Sequence, residues 1–539
     1  MVMDTSSKKK SFISLSLLII SAQLVTAQPG TPGMPGTPGT PEISGPPGKS
    51  VPAIHAIDSF LTEQHEADKF NGGVLIAEDG KFIYEKYFGQ ADREKGIPNG
   101  ASAHFDIASI SKTFTAIAVL QLTEKHKLRL DDPFVRYFPD FPYPTVTIRH
   151  MLTHSSGIPD EFDFFGPIAK KYPDSILRNK DVIAILKASG KPLNTQPGEQ
   201  WHYCNTNFQL LALLVEKLSH QSFDDYIQKH IFLPAHMANS YIIGSKRPKD
   251  PQAVTRYVLP FFYSTRYENV DSVKSGRFSG DTYGRTVGDN NIVTTIGDLF
   301  NYDQALYTET LLRRETLQKA LEPHKLNNGS LNYDHAGNPD QPTASYGLGW
   351  FVTSNDAGDQ IVYHGGYNYG ASTMLYRNIT RRRTILFFDN TNGDHFYKTM
   401  AIAAWLEGSH PPAKWAFAFG LKRSAAREYG ADLLEKGEDA ALLHLLKLKK
   451  DTAHYYASRR EISLVGYELL QAGRKDLGLA PFRINMLLFP DDAASFGNYG
   501  IVLAENGKKQ EAIAVYRLAL AEYPGDKTIT GLLKKQLEE

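Results

Sequence analysis

Ser109-Ile110-Ser111-Lys112 sets a hydroxyl and an amine three residues apart. On a helix such a pair shares one face, with Cβ atoms about 5–6 Å apart. A serine hydroxyl is a weak nucleophile and needs a base. A lysine serves if desolvation or its neighbours lower its pKa. Asp106 stands where it would cap this helix, which puts Ser109 in the first turn. There the free backbone N–H groups and the positive end of the dipole favour a developing oxyanion.

Two further clusters could complete that chemistry. Tyr203-Cys204-Asn205 follows the turn Gln196-Pro197-Gly198-Glu199 and precedes a helix expected from about Asn207. Tyr203 could relay a proton between nucleophile and leaving group. Asn205 could donate to a substrate carbonyl and orient Lys112, or simply cap the helix. His364-Gly365-Gly366 closes a strand-like run. Its glycines would let a substrate backbone approach the strand edge, and His364 could hold a carboxylate or carbonyl. Each cluster alone also fits ordinary structure: a solvated helix pair, a helix entry, a turn beside a surface histidine.

The elements that must position these groups are legible as periodicity. Val74-Leu75-Ile76-Ala77 and Phe82-Ile83-Tyr84 flank Asp79-Gly80, a strong hairpin signal. Strand-like runs return at 360–364, 371–377 and 384–389, with amphipathic helices such as 113–125 and 207–218 between. Sheet segments from both ends of the region, around a helical middle, predict an α+β fold. Its antiparallel sheet is flanked by helices and carries an inserted helical lobe. Such a lobe makes a cleft against the sheet.

The flanks differ in kind. Lys8, Lys9 and Lys10 precede an apolar run from Phe12 to Leu24, and Val25-Thr26-Ala27 offers small residues for cleavage. Residues 1–27 thus read as a secretory signal peptide. The run is shorter than the ~20 residues a bilayer needs, so no stable span is expected after cleavage. Residues 28–52 form a Pro/Gly-rich linker, with Gly30, Gly33, Gly36 and Gly39 each two places before a proline. The mixed helix-and-strand body that carries the three clusters spans 53–410. Gly408-Ser409-His410-Pro411-Pro412 breaks the pattern. Residues 411–455 read as a helical connector or degenerate repeat, and 456–539 as tetratricopeptide-like repeats. The evidence for the latter is a 34-residue period: Gly466 pairs with Gly500, Gly473 with Gly507, Phe482 with Tyr516, and Pro490 with Pro524. Two such repeats suggest a module that receives another protein's segment. Residues 245–290, rich in Arg256, Tyr257, Phe261, Phe262, Tyr263 and Tyr267, either line the cleft or form a surface excursion.

Composition removes several classes. Lysine plus arginine and aspartate plus glutamate each total 59 of 539 residues, so the formal charge is zero and nothing favours a nucleic-acid partner. The single cysteine, Cys204, excludes an internal disulfide and a four-thiolate metal site. No His-Glu-x-x-His zinc signature occurs, and no motif requires a cofactor.

Together the motifs resemble the serine β-lactamase and penicillin-binding-protein superfamily, in its class C β-lactamase-related branch of esterases, D-aminopeptidases and D,D-peptidases. The resemblance covers roughly 55–408. It rests on Phe105-Asp106-Ile107-Ala108-Ser109-Ile110-Ser111-Lys112, Leu128-Arg129-Leu130-Asp131-Asp132-Pro133, the run from Thr147 through His154-Ser155-Ser156-Gly157 to Pro159, Tyr203-Cys204-Asn205, Tyr346-Gly347-Leu348-Gly349-Trp350 and His364-Gly365-Gly366. It implies an acyl-enzyme on Ser109, proton transfer shared by Lys112 and Tyr203, and an oxyanion hole from the N–H groups of Ser109 and Tyr367. Asn205, His364, Gly365, Gly366 and Tyr367 would bind substrate. His154 is assigned to the lobe wall. His364 stands where many relatives have lysine, which turns the expectation toward esters and peptide-like amides. Cys204 stands where serine is usual, as a small apolar substitute. The resulting expectation is a periplasmic or secreted serine hydrolase acting on a small ester or peptide-like substrate. The alternatives are a catalytically retired peptidoglycan or penicillin sensor and a true β-lactamase.

Overall fold

Asp79 and Gly80 both take positive φ, 49° and 74°, the backbone a two-residue hairpin turn needs to follow strand twist. They join β1 (Gly72–Glu78) to β2 (Lys81–Tyr87). The computed structural model describes residues 51–163, 168, 177–243, 250–273, 286–332, 343–412, 415 and 419–538. The segment read as a signal peptide and nearly all of the segment read as a linker therefore lie outside the described residues. The other strands of the main sheet come from the far end of the body: β3 (Ser345–Tyr346), β4 (Phe351–Ser354), β5 (Gln360–Asn368), β6 (Ala371–Asn378) and β7 (Arg383–Asp389). The seven run antiparallel in the order β3-β4-β5-β6-β7-β1-β2. β1 closes onto β7 with Gly72 opposite Asp389 and Glu78 opposite Arg383. The expected α+β architecture, with both chain ends contributing to one antiparallel sheet, is what the protein adopts.

The central strands are buried on both faces, and their side chains alternate between two cores. Leu75, Ala77, Leu375, Leu386 and Phe388 face one; Val74, Ile76, Met374, Tyr376, Ile385 and Phe387 face the other. The second face is covered by α1 (Val51–Glu66) and by a helix at His395–Leu406. The first is covered by α2 (Ser111–Glu124), beyond which lie lobe helices including Asn179–Ser189 and α3 (Asn205–Ser219), and by α4 (Ile296–Ala305).

α2 departs from expectation. It was expected to be amphipathic over 113–125, yet every side chain from Ser111 to Leu122 is buried. The cause is its position, with the sheet on one side and the lobe on the other. Its polar residues are satisfied inside: Thr113 Oγ1 donates to Ile110 O at 2.8 Å, and Thr115 Oγ1 to Gly288 O at 2.6 Å.

The tail is helical, apart from a short parallel pairing of Arg423–Ser424 with Tyr455–Tyr456. Helix Arg459–Gln471 packs on Ala480–Leu488, and Ala493–Glu505 on Lys509–Glu522. A Cβ on Gly466 would lie 2.4 Å from the Phe482 ring, and one on Gly500 would lie 2.2 Å from the Tyr516 ring. The two helix pairs thus share one contact, in which a glycine admits an aromatic ring. Helices Ala425–Lys436 and Glu438–Lys450 precede them. Among the described residues no helix is long and apolar enough to cross a membrane.

One polar contact pins α4 to the sheet. Arg377 of β6 and Asp303 of α4 are both fully buried, with Nε 2.5 Å from Oδ1. Thr384 Oγ1 of β7 donates to the other carboxylate oxygen at 2.7 Å. Removing one partner of a buried pair leaves the other charge uncompensated. Asp303→Asn is therefore expected to cost about 3–5 kcal/mol in urea unfolding; a loss under 1 kcal/mol would show that the pair is not what secures this helix.

Candidate active site

Ser109 does not sit within α2 as expected. It lies in the one-turn 3-10 helix Ala108–Ile110 just ahead, with α2 beginning at Ser111. Asp106 does not occupy the cap position, which falls to Ile107, but it braces the turn from one residue earlier: its Oδ1 accepts the Ala108 N–H at 2.8 Å. Ala108 has φ 43°, a left-handed conformation that costs an alanine energy and persists only where neighbours enforce it. The enforcement is visible. Ile107 N–H donates to Ile292 O at 3.0 Å, Thr373 Oγ1 donates to Ile107 O at 3.1 Å, and Asn368 Nδ2 donates to Asp106 Oδ2 at 3.2 Å.

Lys112, on the second residue of α2, is fully buried. Its Nζ lies 3.1 Å from Ser109 Oγ and 2.8 Å from both Asn205 Oδ1 and the Asp289 carbonyl. The last two are obligate acceptors, so they take two of its protons. The remaining direction points at the serine. Burial opposes the charge, but the phenol of Tyr203 and the carboxyls of Asp289 and Glu161 outweigh it and hold the amine above the usual lysine range. The lowered pKa expected of a lysine base is therefore reversed in the free protein. The resting form is an ammonium that orients Ser109 Oγ.

Asn205 is the first residue of α3, while Cys204 occupies the cap position without a side-chain bond. Asn205 thus faces Lys112 and does not cap the helix. The Cys204 thiol is buried and donates to Ile158 O at 3.5 Å, and burial keeps it well above the usual thiol range. Tyr203 arches over the amine, its ring centroid 4.9 Å from Lys112 Nζ. Beneath it lies His154, whose ring is 4.3 Å from that of Tyr203 and whose Nδ1 accepts the Cys204 N–H at 3.0 Å. The wall histidine therefore supports the second motif directly. Burial, then the Lys112 charge, keeps it neutral.

The third motif lies inside β5, not at its end, because pairing with β6 continues to Asn368. His364 is buried. Its Nδ1 bonds the Gly365 carbonyl at 2.8 Å, so the proton is assigned there and Nε2 accepts from Tyr346 OH at 3.0 Å. Burial and the Lys112 charge push its pKa down to about 3. Both ring nitrogens are engaged within the protein, which leaves His364 placed to brace Tyr346. The glycines admit protein, not only substrate. A Cβ on Gly366 would lie 2.1 Å from Ile107 O, and one on Gly365 would lie 2.9 Å from His395 Nε2. Gly366 thus lets β5 press on the turn that carries Ser109. Tyr367 is 56% exposed, its hydroxyl accepting from Asn392 at 2.5 Å.

Three carboxyls behind Lys112 were not read as site residues. Asp160 Oδ2 accepts the Asn205 N–H at 3.2 Å, and its pKa is pushed up to about 6 by burial, against the N–H donors of Asn205 and Glu161. Glu161 Oε2 accepts from Gln209 at 2.5 Å; burial and the neighbouring Asp289 raise it. Asp289 is raised by burial as well. Asp160 and Glu161 follow the quoted Pro159 directly, so their place was visible although their role was not. Asp289 engages Lys112 through a backbone carbonyl, which leaves no side-chain signature.

A family model described as Beta-lactamase matches residues 57–409. The chain belongs to the β-lactamase family. Within it, Penicillin-binding protein 4* of Bacillus subtilis (strain 168) is 34% identical over 347 residues, covering 64% of this chain and 72% of that protein. A penicillin binding protein from Bacillus halodurans superposes with TM-score 0.53 at 26% identity, over 64% of this chain and 98% of that one. The octameric penicillin-binding protein homologue from Pyrococcus abyssi gives TM-score 0.57 at 25% identity, over 70% and 81%.

The carboxyl beneath Asn205 makes a pH prediction. A carboxyl raised in the fold contributes stability below its ordinary pKa, near 4, and loses it as pH rises through about 6. Asp160→Asn keeps an acceptor for Asn205 but cannot ionise. Its melting temperature relative to wild type is expected to climb between pH 4 and pH 7; a flat or falling difference would mean that the carboxyl is not raised.

Proposed function

We propose that the chain is an exported serine hydrolase that forms an acyl-enzyme on Ser109 and hydrolyses ester or peptide-like amide bonds. One observation carries the reading: Lys112 Nζ stands 3.1 Å from Ser109 Oγ while two obligate acceptors pin its other bonds. Ser109 Oγ attacks the acyl carbonyl carbon as its proton passes to the Lys112–Tyr203 pair. That pair returns a proton to the departing alkoxide or amine. Because Lys112 rests as an ammonium, the pair can take the serine proton only in the form that has lost one proton, as free amine beside phenol or as ammonium beside phenolate, and that proton belongs to the pair, not to one member. The Ser109 and Tyr367 N–H groups would hold the oxyanion. Water then attacks the ester, releasing the acid and restoring the serine. The names of the relatives, penicillin-binding proteins, support a site that also engages a penicillin.

His364, neutral and tied to Tyr346, offers no fixed cation to a substrate carboxylate, which supports esters and amides over β-lactams. The Lys8–Ala27 segment supports a periplasmic or secreted location. The 34-residue repeat supports a tetratricopeptide-like tail that receives another protein's segment.

Labelling with a fluorophosphonate, followed by peptide mapping, tests the nucleophile. Wild type should carry the label on Ser109, and Ser109→Ala should carry none while remaining folded; a label elsewhere would overturn the assignment. Lys112→Ala should lose roughly 10²-fold or more in turnover, and near-normal turnover would remove it from the mechanism. In a direct comparison, kcat/KM for a p-nitrophenyl ester should exceed that for nitrocefin, and the reverse order would favour a true β-lactamase.

A further inference from the structure

The segment between the second and third motifs touches two distant parts of the molecule. Its residues 261–264 belong to the tail. Tyr263 is buried in one cluster with Tyr429, Leu433, Val465 and Leu469, and Phe261 and Phe262 pack against it. The buried Glu468 carboxylate accepts the Phe262 N–H at 2.6 Å. Arg427 donates to Ser264 O at 3.3 Å, and its guanidinium lies 5.2 Å from the Phe262 ring centre. Gly430 makes room for the segment, since a Cβ there would lie 2.5 Å from Tyr263 Cβ.

The start of the same segment lies against the catalytic centre. Tyr257 N–H donates to Asn390 O at 2.9 Å, and Val258 and Val270 form a cluster that packs on Tyr369. A Cβ on Gly370 would lie 2.6 Å from Tyr257 N and 2.7 Å from Arg256 Cβ. The segment is thus pressed on the turn that ends β5. Arg256 extends from there to Asp106, with 3.5 Å between Nη1 and Oδ2. Asp106 Oδ2 is also the atom that Asn368 reaches, and Oδ1 accepts the N–H of the strained Ala108.

We infer that the helical tail is a positioning element of the catalytic centre: its grip on residues 261–264 holds Arg256 on Asp106, and Asp106 holds the turn that carries Ser109. Near Arg256 the loop is held by its own pairing of Tyr257–Val258 with Glu268–Asn269 and by the buried Tyr257; between those strands a surface loop is mobile by default. There the tail adds a second buried aromatic anchor, Tyr263, and a buried carboxylate on the backbone. Its far end then presents a guanidinium to Asp106, whose orientation sets both the left-handed Ala108 and the end of β5. A small displacement of a positioned nucleophile is costly, on the order of 10²-fold per ångström. The tail therefore acts on the rate of acylation and not on substrate affinity.

This inference rests on Ser109 as the nucleophile, and the experiment separates the two. In the full chain, Gly430→Ala and Arg427→Ala loosen the grip from the tail side, and Arg256→Ala from the site side. Each is assayed for kcat and KM on a p-nitrophenyl ester and for the rate of fluorophosphonate labelling, with a melting curve to confirm folding. Arg427→Ala, which does not crowd the tail core, covers the case in which Gly430→Ala fails to fold. The expected result is a roughly tenfold or greater fall in kcat and in labelling rate for Arg256→Ala, with KM nearly unchanged. A smaller fall of the same kind is expected for the tail variants. Combining a tail variant with Arg256→Ala should add little to Arg256→Ala alone, because both act through one path. Wild-type kcat in every folded tail variant, or losses that multiply in the double variant, would overturn the inference while leaving Ser109 labelling intact. Absence of label on wild-type Ser109 would instead overturn the nucleophile assignment.

Discussion

Burying the amine of Lys112 is the constraint around which the catalytic body is built. An ammonium taken out of water needs an acceptor for each proton, and here they come from three segments: Ser109 from the turn before α2, Asn205 from the first turn of α3, and the Asp289 carbonyl from the loop before Ile292. Sheet, lobe and loop must all arrive for the charge to be satisfied. The carboxyls of Asp160, Glu161 and Asp289 lie behind that charge. Tyr203, Asp289 and Glu161 raise the lysine, while burial raises all three carboxyls. Burial first, and the same charge second, keep the imidazoles of His154 and His364 neutral.

The second requirement is a close fit between β5 and the nucleophile turn. Gly366 lets the strand meet Ile107, while Thr373 and Asn368 bond the turn from neighbouring strand positions. These contacts explain why a non-glycine residue can hold a left-handed backbone at Ala108 directly before the serine. The aromatic layer of Tyr203, His154 and Tyr346 backs the arrangement from the lobe side, and His364 joins it to β5. Gly349, with φ 91°, presses the Tyr346-Gly347-Leu348-Gly349-Trp350 turn onto Ala116 of α2, one helical turn beyond Lys112. Gly366 and Gly349 are therefore points of contact between elements.

Much of this was legible in the residues. The Asp79-Gly80 hairpin, the strand runs and the break at Gly408 rest on local periodicity and turn chemistry, which a chain carries wherever it folds. The tail's 34-residue spacing reappears as two glycine–aromatic contacts of the same kind. Other features were less accessible. The pattern of α2 reads as amphipathic, but a helix packed on every side buries its polar residues too, and only the partners of Thr113 and Thr115 reveal this. Residues 245–290 left two roles open, and Tyr263 took a third by joining the tail core.

Ser109, Lys112, Tyr203, Asn205 and His364 could be nominated as candidate site residues from their motifs taken together and the family resemblance those carry, because reactive groups and short motifs are properties of near neighbours. Their charge states and duties could not. Lys112 draws an acceptor from a backbone carbonyl 177 residues away. His364 loses both ring nitrogens to partners within the protein, and Gly366 is needed for an approach by Ile107. A pKa and a hydrogen-bond partner depend on what is packed against a group and how far water is kept from it, and packing of segments distant along the chain exists only once the chain has folded.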